Sequence, residues 1–295
     1  MSGEEPNSPA PAVGIIGGSG LYHMDALSGV EEFSVVTPYG KPSGPIVRGL
    51  LGGREVYFLA RHGKGHTIAP HEINHRANLW ALRMQGVRWL ISVTAVGSLK
   101  EEYRPREAVL PDQFFDRLSG RERHTFFGEG IVAHVGFAEP TSPNLRKILA
   151  GACASSGLKC HNGGTYVCME GPAFSTRAES LANRQLGFDI IGMTNLPEVK
   201  LAREAEIAMA TLAMVTDYDC WKHDEAPVSA NSVFEHLLAN VASAKAVLEA
   251  AIPQIPKVPD WPEHRSLDTA IITPKEYWPE KTIKKLSMIL DRFVG

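Results

Sequence analysis

The stretch "VRWLISVTAVGSL" at residues 87–99 constrains the fold more than any other. It is apolar almost throughout, with no alternation of polar and apolar residues. Such a strand has to be covered on both faces, the condition of a parallel sheet lying between helices. Apolar runs of the same character recur at "VGIIGGSGLY" (13–22), "VYFLARHG" (56–63), "FDIIGMTN" (188–195) and "AMATLAMVTDYD" (208–219). "REAVLPDQFFDR" (106–117) holds a strand and a turn, and "GGTYVCMEGPAF" (163–174) is a strand leaving through Gly171-Pro172. Between these runs, 71–86, 142–157, 176–187, 197–207 and 231–252 read as helices. The alternation predicts an α/β fold: a single domain built on a mixed, mostly parallel β-sheet covered by helices.

That domain is expected to span 13–252. Residues 1–12 read as a disordered tail, with neither the basic start nor the apolar centre of an export signal. A Pro-rich connector, "PQIPKVPDWPEH" (253–264), leads to a helix at 280–293 with Ile283, Leu286, Ile289 and Leu290 at helical spacing. This helix should pack on the body or on a neighbouring subunit. A formal net charge of −3 argues against a general nucleic-acid or membrane binder. No run approaches the roughly 18 apolar residues of a membrane span. Cys153, Cys160, Cys168 and Cys220 lack metal or redox spacing and are expected as free thiols in a reducing cytoplasm.

In open α/β sheets, ligands bind where strands end. The strand ends here carry Gly17-Gly18-Ser19-Gly20, Arg61-His62, Thr94-Ala95, Glu170-Gly171, Met193-Thr194, and Asp217 with Asp219. The glycine loop "GIIGGSG" is either a tight turn or a converging set of backbone N–H groups suited to an oxyanion. It lacks the third glycine of a dinucleotide fingerprint. "HEINH" (71–75) matches a zinc-peptidase pattern, with His71 and His75 on one helix face and Glu72 as base, but no third ligand follows on the helix. A helix start with polar residues facing water explains it as well. Taken together, Ser19, Arg61, His62, Thr94 and Thr194 supply hydroxyls and positive donors that would cradle a phosphate.

"GIIGGSGL", "TPYGKPSGP", "ARHGKGHTIAPHEINHRAN", "TAVGSL", "EGPAFSTRAE", "MTNLPEVKLAREAEI" and "TDYDCW" together resemble the trimeric purine nucleoside phosphorylase family, in its methylthioadenosine-cleaving branch. The resemblance covers roughly 13–252. It implies phosphate ligands at Ser19, Arg61, His62, Thr94, Ala95 (through its backbone) and Thr194. Met193 would lie against the ribose, and Phe174, Asp217 and Asp219 around the purine. It implies a homotrimer in which His134 of one chain closes a neighbour's 5′ pocket. No metal or organic cofactor is implied; inorganic phosphate is a co-substrate.

Breaking a glycosidic bond to adenine calls for a proton at N7 and a hydrogen-bond acceptor for the 6-amino group. Two acids one residue apart in a strand point to the same side, about 7 Å apart at Cα. Asp217 is therefore read as the general acid to N7, with Asp219 raising its pKa and bonding the amine. Two carboxylates capping the next turn is the bland alternative. The resemblance implies that relatives acting on 6-oxopurines carry Asn and Glu where Asp217 and Ser175 stand. Ala230, Phe234 and Leu237 could line an apolar 5′ pocket or simply form core. The competing readings are a broader purine nucleoside phosphorylase, a hydrolytic nucleosidase, a zinc peptidase and a silent nucleoside sensor. His75 stands where the family has a tyrosine, a change expected to alter packing only, and the tail past Pro253 looks longer than that of close relatives.

Overall fold

A computed structural model describes residues 10–18, 20–21, 23–120, 123–222 and 230–294, without the side chains of 230–239. From the N-terminus its elements are β1 (Ala12–Gly17), β2 (Ser28–Phe33), β3 (Ile46–Leu51), β4 (Arg54–Ala60), α1 (His75–Met84) and β5 (Val87–Ser98). Next come β6 (Ala108–Leu110), β7 (Gln113–Asp116), α2 (Pro143–Ser155), β8 (Cys160–Asn162), β9 (Thr165–Cys168) and α3 (Arg177–Gln185). The chain ends with β10 (Ile190–Gly192), α4 (Asn195–Glu204), β11 (Ala208–Asp217), α5 (Ala230–Ala251) and α6 (Glu280–Val294).

β5 is the axis. It pairs in parallel with β1 along one edge and with β11 along the other, while its last residues, Gly97 and Ser98, pair antiparallel with Ile191 and Ile190 of β10. β4 lies parallel to β1, and the antiparallel strands β3 and β2 finish that side. Beyond β10 the sheet runs through β9 to β7, and a branch from β11 carries β6 and β8. The sheet is mixed and mostly parallel. Side chains of α1, α4 and α6 meet one face in a core that includes Leu79, Val199, Ala202 and Leu286. Those of α2 and α5 meet the other, with Leu145, Leu149, Val247 and Leu248. Full burial of β5 residues Trp89, Leu90 and Ile91 follows from this double cover.

Several local expectations change. The helix read from 71 begins only at His75: Pro70–Glu72 form a 3₁₀ turn, and Asn74 caps α1 by accepting from the Ala77 N–H. His71 and His75 therefore do not share a helix face, which removes the zinc-peptidase geometry, and no cluster of three or more potential metal ligands occurs among the described residues. β2, β3 and β8 have no counterpart in the sequence reading. "SGVEEF" is exposed along nearly its whole length, so it has no hydrophobic period to detect. All four cysteines are free thiols. No helix of the described residues is long and apolar enough to cross a membrane.

The C-terminal stretch is tied to the body. Arg54 reaches out of β4 to donate to the carbonyls of Ile255 and Pro256, and its guanidinium lies over the Trp89 ring. α6 buries Leu286, Ile289 and Leu290 against the α1 and α4 side. Glu204, at the end of α4, pins the segment before it by accepting from the Thr125 hydroxyl and the Phe126 N–H, both at 2.7 Å. Burial pushes the Glu204 carboxyl up from 4.5 to about 7, against the pull of those two donors. The folded state thus holds this proton more tightly than the unfolded chain. Its stabilising contribution is full below about pH 4.5, declines as pH rises toward 7, and is gone above that. Glu204→Gln should accordingly gain stability over the parent at pH 8 relative to pH 5 in urea unfolding. An identical difference at both pH values would contradict the assignment.

Candidate active site

The C-terminal ends of β1, β4, β5 and β11 and the start of α4 surround a cavity of about 740 Å³. Its walls are largely apolar, with Leu21, Met169, Met214, Val241 and Ala244 among them. Polar groups gather at two ends.

At one end, Thr94 of β5 and Thr194, the residue before α4, bring their hydroxyl oxygens to 3.1 Å of each other. Thr194 makes no capping bond with its side chain, so its hydroxyl is not engaged by the helix. The Thr94 hydroxyl also donates to the Ala95 carbonyl at 3.3 Å. Gly18 and Gly20 of the glycine loop line the same end; Ser19 lies outside the described residues. The pair Arg61-His62 follows β4 here, but neither residue presents a free cation. Arg61 is 2% exposed and is held by Glu198 through Nε at 2.5 Å and Nη2 at 3.1 Å. Its remaining bonds go to Ser92 Oγ and the carbonyls of Val93 and Ile16. Burial alone would raise the Glu198 carboxyl, yet Arg61 and then His75 outweigh it and bring it down to about 2. His75 Nδ1 stands 3.6 Å from Glu198 Oε1, too long for a hydrogen bond, so the ring adjoins the buried pair. Ser92 donates to Glu198 Oε2 and accepts from the Asn195 amide, closing a buried network beneath the cavity.

His62 donates from Nδ1 to the Ile68 carbonyl at 2.8 Å, which fixes the neutral tautomer and leaves Nε2 as an acceptor. Burial, and then the charge of Arg61, push its pKa down to about 4. Both effects disfavour the positive donor expected at this position; the imidazole also stacks on His66, with ring centroids 4.2 Å apart.

At the other end lie the two acids. β11 stops at Asp217, after an irregularity in its pairing with β5, so Asp219 is not a strand neighbour on the same face. Asp219 sits in the left-handed region (φ 50) and donates its N–H to Asp217 Oδ1 at 2.7 Å. Thr216 donates to the other Asp217 oxygen, also at 2.7 Å. The acids meet through a turn, which corrects the strand-alternation argument while leaving both on the cavity wall. Burial raises the Asp219 carboxyl, opposed by the Ser180 and Ser175 hydroxyls and the Cys220 N–H, and its Oδ2 has no hydrogen-bond partner among the described residues. Gly97 of β5 faces the pair. A Cβ there would lie 3.0 Å from Asp217 Oδ1 and 3.4 Å from the Asp219 Cβ, so a side chain would crowd both acids.

Met193 and Phe174 also line the cavity, whereas Ser175 does not and has its hydroxyl at the Met169 sulfur. His134 is exposed and away from this cavity. The side chains of Ala230, Phe234 and Leu237 lie outside the described residues. Glu198 and Ser92 were not singled out from sequence; their one signal was a charge and a hydroxyl inside otherwise apolar segments.

Fold and cleft define a class: an α/β protein that takes a small ligand where its parallel strands end. The sequence matches the model of the phosphorylase superfamily over residues 12–253, and the chain belongs to that superfamily. It is 52% identical to the S-methyl-5′-thioadenosine phosphorylase of Koribacter versatilis, over 96% of this chain and 97% of that one. A crystal structure of a methylthioadenosine phosphorylase sourced from an Antarctic soil metagenomic library superposes with a TM-score of 0.89 at 47% identity, covering 95% and 99% of the two chains. The Schistosoma mansoni methylthioadenosine phosphorylase in complex with adenine gives 0.80 at 36%, covering 95% and 98%. Coverage this complete also shows that the tail past Pro253 is not longer than in these relatives, contrary to the sequence expectation.

The buried Arg61–Glu198 pair makes a direct prediction. Glu198→Ala leaves an uncompensated guanidinium and should cost about 3–5 kcal/mol in urea unfolding. A loss below 1 kcal/mol would mean the charge is satisfied elsewhere.

Proposed function

We propose that the protein cleaves 5′-methylthioadenosine with inorganic phosphate, giving adenine and 5-methylthioribose 1-phosphate. One observation carries this reading: a single cavity joins the Thr94–Thr194 hydroxyl pair to the Asp217–Asp219 carboxyl pair, in a chain about half identical to relatives of that activity. Phosphate at the threonine end is both nucleophile and counter-anion to an oxocarbenium-like sugar. It is met by hydroxyls, glycine-loop N–H groups and the backbone of Ala95. Arg61 Nη1 has a second hydrogen to offer, and His62 Nε2 is placed to accept from a phosphate hydroxyl. Ser19 completes the set by resemblance.

At the acid end, adenine needs a donor at N7 and an acceptor for its amine. We assign Asp217 to N7 and Asp219 to the amine. Burial, and not the charge of Asp217, is the chief cause that raises the Asp219 carboxyl. Met193 faces the ribose and Phe174 the base; Ser175 leaves room that a longer acid would fill. Ala230 and Phe234 belong to the 5′ pocket. The working form is a cytoplasmic homotrimer, with His134, exposed on its own chain, closing a neighbour's site. No metal or organic cofactor takes part, and neither nucleic acid nor membrane is a partner.

Adenine release from methylthioadenosine should require added phosphate, and inosine should be a poor substrate; release without phosphate would indicate a hydrolase. Asp217→Asn should lower kcat by about 10²-fold or more, as expected for a lost general acid. Asp219→Asn should lose less, and an equal or larger loss there would transfer the acid role to Asp219.

A further inference from the structure

Tyr166 of β9 is fully buried, and its phenol oxygen makes no hydrogen bond of full geometry among the described residues, although the Thr94 side chain and the Thr194 backbone lie near enough to act on it. A buried hydroxyl left unpaired costs about 1–3 kcal/mol, so its retention needs a reason. The phenol reaches through a gap in the neighbouring strand. A Cβ on Gly192 of β10 would lie 1.9 Å from the phenol oxygen, so glycine is required there for the ring to pass. Gly192, Thr194 and Thr94 all line the cavity, which puts the phenol directly behind the hydroxyl pair. Thr94, the Thr194 backbone and Arg61 are the cavity-side groups acting on it. Burial pushes the phenol above its ordinary range, so it keeps its proton and acts as a donor.

The proton count of the two threonines shows what such a donor would do. Thr94 spends its proton on the Ala95 carbonyl, and the contact between the two hydroxyls is then donated by Thr194. Neither proton is directed at a ligand. An oxyanion in the cavity draws both, and the Thr94 oxygen then loses the donor it had been accepting from.

We infer that Tyr166 is a positioning residue for phosphate, its hydroxyl donating to the threonine pair from behind so that both threonine protons turn to the oxyanion. The inference rests on the reading of this cavity end as the phosphate site, and the two are separable. Tyr166→Phe keeps the ring packing and removes only the donor. In initial-rate assays on the full chain, the KM for phosphate should rise about five- to tenfold, the equivalent of one neutral hydrogen bond. The KM for methylthioadenosine should change less than about twofold, since a hydrogen bond on the phosphate side does not touch the nucleoside. The rise in Tm produced by phosphate alone should shrink in parallel. A merely structural role would move both KM values or neither, and either result would overturn the inference. Thr194→Val serves as the companion. If it raises the phosphate KM while Tyr166→Phe does not, Tyr166 has no part in positioning; if it leaves that KM unchanged, the phosphate site itself is misplaced and the inference falls with it.

Discussion

The buried pair of Arg61 and Glu198 is the interaction on which the site depends. It joins the end of β4 to the first turn of α4 beneath β5, and Ser92 and Asn195 complete its hydrogen bonds. Such pairs do not reliably add stability, because desolvating two charges offsets most of their attraction. What this one supplies is placement. α4 enters the sheet at Thr194 because Glu198 is anchored four residues on, and Thr94 faces it because Ser92, two residues back on β5, belongs to the same network.

A consequence is that the threonine end of the cavity carries little net positive charge. The guanidinium is balanced by Glu198, and burial and then the Arg61 charge push the His62 pKa down, against the pull of its Ile68 bond. Dipoles and hydroxyls in a dry site interact with an anion far more strongly than in water, and they need no reorganisation when it binds. A free cation would bind phosphate more tightly in the ground state. For a nucleophile that must leave its site to attack the sugar, tighter ground-state binding alone does not speed the step.

The general plan was legible because it lives in hydrophobic pattern. "VRWLISVTAVGSL" could only be a doubly covered strand, and the strand ends then gathered Arg61, Thr94, Thr194 and Asp217 at one cavity without any contact being known. Features set by backbone geometry were not legible. β2 carries no period because only its last residue, Phe33, is even partly buried, and Asp219 leaves the strand through a left-handed turn that no spacing announces. Pro70 looked like a helix start, yet Asn74, with its side chain on the Ala77 N–H, is the cap that forms. Partnership was hidden too. Arg61 reads as a positive donor for a phosphate until Glu198, 137 residues away, is brought against it.

β5 ties the two ends of the cavity together as a ruler. Ser92 faces the ion-pair network, Thr94 the Thr194 hydroxyl, and Gly97 the acids. From Thr94 to Gly97 the strand rises on the order of 10 Å, a span that a sugar with its base and an attacking anion can fill. β11 runs parallel to β5 along that length, with an irregularity at its end, and β10 pairs with Gly97, so the separation is fixed by hydrogen-bonded strands and not by loops. The chemistry tolerates little slack, because an attacking atom and a protonating group must act on opposite ends of one bond. A strand buried along most of its length is the part of the fold suited to hold that distance.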